Sequence, residues 1–158
     1  MSYDLYLFKP EAQRFLPDEL MSLLEGESTE AHDGLRIDGI TEEHIRPIWV
    51  RHWGEDDECC PAWLDFNEHS IDLGLTYNPV AGPVSDAVQR FRRCALDIAQ
   101  NLGLMVFDSQ ESEWVTSDTD VQQAISRYGD GRGVIESLLT GDAIPSRRKS
   151  FWRRLFGH

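Results

Sequence analysis

Residues 49–66 hold the densest collection of side chains able to do chemistry. They run Trp49-Val50-Arg51-His52-Trp53-Gly54-Glu55-Asp56-Asp57-Glu58-Cys59-Cys60-Pro61-Ala62-Trp63-Leu64-Asp65-Phe66. Cys59, Cys60 and His52, with His69, His44 or His32 nearby, are the types that ligate zinc. Structural zinc sites use C-x₂₋₄-C or H-x₃₋₅-H pairs, so that two ligands reach one ion. Adjacent cysteines lack that spacing and diverge, so they read as small apolar groups in a loop and no metal is assigned. A cysteine nucleophile must be a thiolate, and the four acids at 55–58 would raise the thiol pKa rather than lower it.

Elsewhere the chemistry is thinner. Gly129-Asp130-Gly131-Arg132-Gly133 before a helix has the bareness of a phosphate-cradling loop. It lacks the G-x-x-x-x-G-K-[ST] pattern and does not follow a strand directly, so a helix-to-helix turn is the better reading. Asp108, Glu111, Glu113, Asp118 and Asp120 could gather around calcium, but EF-hand spacing is absent, which leaves a solvated acidic loop. Among 28 acidic residues no acid–base pair stands out. The sequence therefore assigns no catalytic residue, metal or cofactor, and leans away from an enzyme.

Charge is more informative. Every acid lies at or before Asp142, whereas Ser146–His158 carry five bases and no acid. With the whole chain at −13, the tail is +5 and the 145 residues before it are −18. Such a body repels nucleic acid and anionic membrane and attracts basic partners. Three of the five tryptophans fall within 49–66 around an acidic run. Aromatic anchors ringed by charge are the composition of interface hot spots. Trp49, Trp53 and Trp63, with Glu55, Asp56, Asp57 and Glu58, are therefore the expected contacts for a basic protein domain. In the tail, a helix would place Phe151, Trp152, Leu155 and Phe156 on one side and Arg153 and Arg154 on another. That segment could touch a membrane weakly or dock back on the acidic body.

The positioning elements follow from periodicity. Tyr3–Phe8 reads as a central strand ended by Lys9-Pro10. Pro17, Asp18 and Glu19 start a short helix with Leu20, Leu23 and Leu24 inward, and Gly26 ends it. Leu35–Ile37 reads as a short strand; Thr41 could cap a helix that Pro47 would break or kink. Residues 49–66 fit neither period and read as a long loop. Ile71, Leu73, Leu75 and Tyr77 alternate as a strand with one buried face. Val84, Val88, Phe91, Ala95, Ile98 and Leu102 make the strongest helical stripe; Arg90, Arg92, Arg93, Asp97 and Gln100 lie off it. Leu104–Phe107 is a buried strand. Val121–Tyr128 and Val134–Leu139 read as two further helices.

The order strand, helix, strand, strand, helix, strand predicts an α+β fold, a ferredoxin-like (split β-α-β) antiparallel sheet with helices on one face. Residues 1–145 form its single domain, 41–69 an insertion and 146–158 the basic tail. With no apolar run near the roughly 20 residues a bilayer span needs, and no basic start of a signal peptide, a cytoplasmic protein is expected. Three cysteines without framework spacing agree.

Met1–Phe8 and the segment Leu102-Gly103-Leu104-Met105-Val106-Phe107-Asp108-Ser109-Gln110 resemble a family of small bacterial cytoplasmic proteins. Some of its members look like immunity proteins, encoded beside toxins of interbacterial competition systems such as type VI secretion. The resemblance rests on core strands and carries over no site residue. It implies the fold and a bacterial cytoplasmic origin; the acidic body and the aromatic, acidic stretch 49–66 point to a non-enzymatic, immunity-type inhibitor that neutralises a basic toxin. The other readings are a small enzyme or ligand-binding domain, with a pocket near Gly129–Gly133, and a regulatory module tethered to a membrane by its tail.

Overall fold

The first strand shows how the sheet is built. In β1 (Ser2–Phe8), Tyr3, Leu5 and Leu7 are buried on one face, while Tyr6 and Phe8 point to the other. A two-residue period with apolar groups on both faces demands cover on both sides. The computed structural model describes residues 2–27, 32–55, 60–76 and 84–117, together with Gln122, Ala124, Ile125, Ser126, Tyr128 and Gly129. The elements after β1 are α1 (Pro17–Leu24), α2 (Glu42–Trp53), β2 (Ala62–Phe66), β3 (Ile71–Thr76), α3 (Val84–Leu102), β4 (Met105–Asp108) and β5 (Glu113–Val115). They form an α+β fold around one antiparallel sheet of order β2-β3-β1-β4-β5. The first four strands stand in the split β-α-β order, and β5 extends the sheet beyond β4.

α3 supplies the main cover. Val88, Phe91, Ala95 and Ile98 lie buried along one stripe, and the ring of Phe91 meets Tyr3 edge-on at 5.6 Å. Gly103, at φ 67°, ends the helix in the left-handed conformation, and the Leu104 amide turns back to the Ala99 carbonyl before β4. Ala124 and Tyr128 join this core, and the Tyr128 hydroxyl donates to the Thr76 carbonyl at 2.6 Å. The opposite face holds a smaller cluster of Phe8, Leu20, Leu35 and Phe107, closed by α1 and two 3-10 turns.

Several expectations need correction. Residues 33–35 form a 3-10 turn rather than a strand: Asp33-Gly34 turns tightly, Leu35 packs with α1, and the Ile37 amide bonds only the Glu68 carbonyl. Residues 49–66 are not one long loop. Residues 49–53 complete α2, and 62–66 are β2, paired with β3 from Ala62↔Leu75 to Phe66↔Ile71. Of the break or kink expected at Pro47, the break does not occur: α2 runs on to Trp53. The missing N–H of Pro47 leaves only the exposed Glu43 carbonyl of the preceding turn without its helical donor. The helix between the first two strands of the split motif, packed beside α3, is therefore α2 rather than α1. The expected helix at 134–139 and the tail lie outside the described residues.

Candidate functional site

α2 and the edge strand β2 border a groove of about 500 Å³. Along α2, Glu42, Arg46 and Trp49 recur at i, i+4 and i+7 and form one wall together with Val50 and Ile45, and Ile45 and Ile48 also fill the core. Thr41 starts the helix, its amide donating to Nδ1 of His44 at 3.0 Å. β2 forms the other wall, with Glu55 and Cys60 at one end. Glu42, Glu55 and Asp65 against Arg46 make the lining net acidic.

Trp63 (39% exposed) and Phe66 (36% exposed) are two of the large apolar side chains left open to solvent. Trp63 lies across Gly74, its partner on β3, so closely that a Cβ there would run into the indole. The missing side chain is what lets the ring lie flat on the sheet.

Acidity continues across the outer sheet face. Asp65 sits directly opposite Asp72, and Tyr6 opposite Asp72 on the other side. Burial above all, with the Asp65 and Asp4 charges adding to it, pushes the Asp72 carboxyl above its ordinary range; hydrogen bonds from Ser70 and Asn67 pull the other way. Burial likewise raises Asp4, opposed by a hydrogen bond from Ser2.

Trp49, Glu55 and Trp63, all expected partner contacts, thus line one groove. Trp53 is held apart from it: its ring packs 6.2 Å from that of Trp49 against the core and under the guanidinium of Arg90, 5.6 Å away on α3. Asp56, Asp57 and Glu58 lie outside the described residues, as do Phe151, Trp152, Arg153, Arg154, Leu155 and Phe156. Glu42, Arg46, Asp65 and Phe66 were not singled out from sequence. The 42/46/49 spacing is the signal that could have found the helix wall. No family model, curated protein or solved structure matches the chain.

Other polar clusters read as structural. Tyr3 donates to Asp108 Oδ2 at 2.7 Å, and Arg92 Nη1 donates to the Tyr3 hydroxyl at 2.8 Å and lies 3.4 Å from Asp108. Asp108 is fully buried and Arg92 nearly so, which corrects the reading of Arg92 as lying off the buried face. Asp108 Oδ1 accepts the amides of Gln110 and Glu111, shaping the turn into β5. That leaves Asp108 no freedom to serve in a calcium loop. His52 Nε2 lies 2.6 Å from Asp97 Oδ2, a pairing that could orient a general base. Cys94 on the same helix is no partner for it, since burial pushes its thiol up to about 12. Of the histidines considered for zinc, His52 faces Asp97, His44 caps α2, and His32 meets Phe15 and His69 edge-on. Among the described residues no three potential ligands converge on one point; Cys59 lies outside them.

Proposed function

We propose that this protein is a non-enzymatic binding protein of the immunity type, which neutralises a basic toxin or effector domain by docking it at the α2–β2 groove. The observation that carries the reading is the gathering, along the border of α2 and β2, of Trp49, Glu42 and Glu55 on the helix side with Trp63 and Asp65 on the outer face of the strand. Half-exposed aromatics offer the apolar anchor of a hot spot, and the carboxylates around them select for cationic partners. A net charge of −13 adds long-range attraction to any basic surface. Nothing in the reading calls for a cofactor or nucleic acid. It carries with it a cytoplasmic location, where a toxin would be met. No helix among the described residues is long and apolar enough to cross a membrane.

The test is co-expression with the product of the reading frame adjacent to its own. Protection from that product's toxicity is expected, with loss of protection when Glu42, Glu55 and Asp65 are all changed to lysine. Full protection by the triple variant would refute the groove; an adjacent product that is neither toxic nor bound by the chain would refute the immunity role.

A further inference from the structure

Among the described residues, β2 is the outermost strand at one end of the sheet. The Pro61 carbonyl accepts the Thr76 amide at 2.8 Å, and the Asn67 amide donates to the Ser70 carbonyl at 2.9 Å. With a two-residue period, Trp63 and Asp65 also turn their backbone groups toward β3, and Ala62, Leu64 and Phe66 turn theirs outward. Asp65 Oδ1 accepts the Phe66 amide at 2.9 Å. No described residue pairs with the outward amides of Ala62 and Leu64 or with the carbonyls beside them. Ala62, Leu64 and Phe66 all line the groove that α2 walls.

Resting on the docking reading above, we propose that the basic partner engages the groove by adding an extended strand to the free edge of β2. An added strand would lie about 4.8 Å from β2. Its inward side chains would meet Trp49 and Val50 of α2, with Glu42 and Arg46 alongside; its outward ones would lie beside Trp63, Asp65 and, one strand further, Asp72. The occupant is thus a segment with apolar residues at alternate positions and lysine or arginine between them, the pairing mode in which main-chain bonds supply affinity and alternate side chains supply selectivity. Charge argues against a second copy as the occupant. Two chains of −13 repel, and Asp65 would be brought toward an identical acidic edge. An edge marked by carboxylates rejects its own kind and admits a cationic strand.

The experiment is amide exchange on the isotope-labelled full chain, titrated with a synthetic hexapeptide of alternating lysine and valine. At saturation, exchange at Ala62 and Leu64 should slow at least about tenfold. Methylating the peptide nitrogens that face β2 should abolish binding although every charge is kept. A methylated peptide that binds as well as its parent, or a parent that leaves both amides unprotected, overturns strand addition while leaving an acidic docking groove intact. Equal protection by a glutamate–valine peptide would keep strand addition and sink the basic-partner reading. Protection already present in the free chain overturns the proposal in either form: rising with protein concentration it marks a second copy, and lost on deleting residues 146–158 it marks the chain's own tail.

Discussion

At the level of single residues, Arg92 and Asp108 are oppositely charged and both buried, which is costly unless each is paired. A guanidinium and a carboxylate in the core are tolerated because each charge faces the other across the Tyr3 hydroxyl and because two backbone amides hold the second carboxylate oxygen. Burial and the neighbouring Asp108 charge drive the Tyr3 pKa upward, so its hydroxyl remains a donor to that carboxylate. Arg92→Met should cost about 3–5 kcal/mol in urea unfolding, because it strands the Asp108 charge. Adding Asp108→Asn should recover a large part of that loss; a double variant no better than the single one would show the ion pair is not the source. Asp72 behaves oppositely. Its carboxyl is raised in the folded chain, so both states being ionised is unfavourable to folding, and the penalty fades as pH falls through the raised value toward the ordinary 3.8. Asp72→Asn should therefore stabilise at neutral pH by about 0.2–1 kcal/mol, the range for a cross-strand like-charge pair. Melts below pH 3.8 should show that gain gone, and a gain growing on acidification would contradict the assignment.

Among the elements, α3 and the β2–β3 hairpin set the fold and the groove respectively. Phe91 sits at the centre of the α3 stripe with no exposure, edge-on to Tyr3. Phe91→Ala should lower stability by about 3–5 kcal/mol, through lost burial and the cavity left behind. An unchanged denaturation midpoint would mean α3 is not packed through this ring. In the hairpin, Trp63 depends on the bare backbone of Gly74. Gly74→Ala should cost about 1–3 kcal/mol by overpacking. The cost should largely vanish in a Trp63→Ala background, where nothing remains to collide. A double-mutant cycle with no coupling would show that the indole does not lie over Gly74.

Across the whole molecule, net charge decides what approaches and what stays apart. At neutral pH the −13 charge opposes contact between copies, although β2 presents an edge that no described strand pairs, flanked by Trp63 and Phe66. Near the isoelectric point of about 4.6 that repulsion is gone. Sedimentation should therefore show self-association rising as pH approaches 4.6 and weakening in a Trp63→Lys variant, which adds an edge charge. Association that ignores the variant would place the contact elsewhere. The same field acts on a cationic partner. Its association rate should fall steeply with ionic strength while dissociation changes little.

The chain's own local patterns were enough to determine β1, β3, β4 and α3. Each carries its period within a few residues, and burying that apolar face needs only some partner surface, whichever it is. The α+β class followed from their order. The second strand did not: Trp63 and Asp65 put an aromatic and an acid on one face, and Ala62–Phe66 becomes a strand only because β3 offers it a ladder. Arg92 looks like a solvent residue until Asp108, 16 positions later, is folded against it. Trp49 and Trp63 were singled out together, but whether they came to border one groove depended on α2 running past Pro47 and on β2 pairing beside β3. Local periodicity specifies which face of an element is buried, whereas pairing between distant segments specifies against what. The candidate site lies where two such segments meet, so only the tertiary structure could decide it.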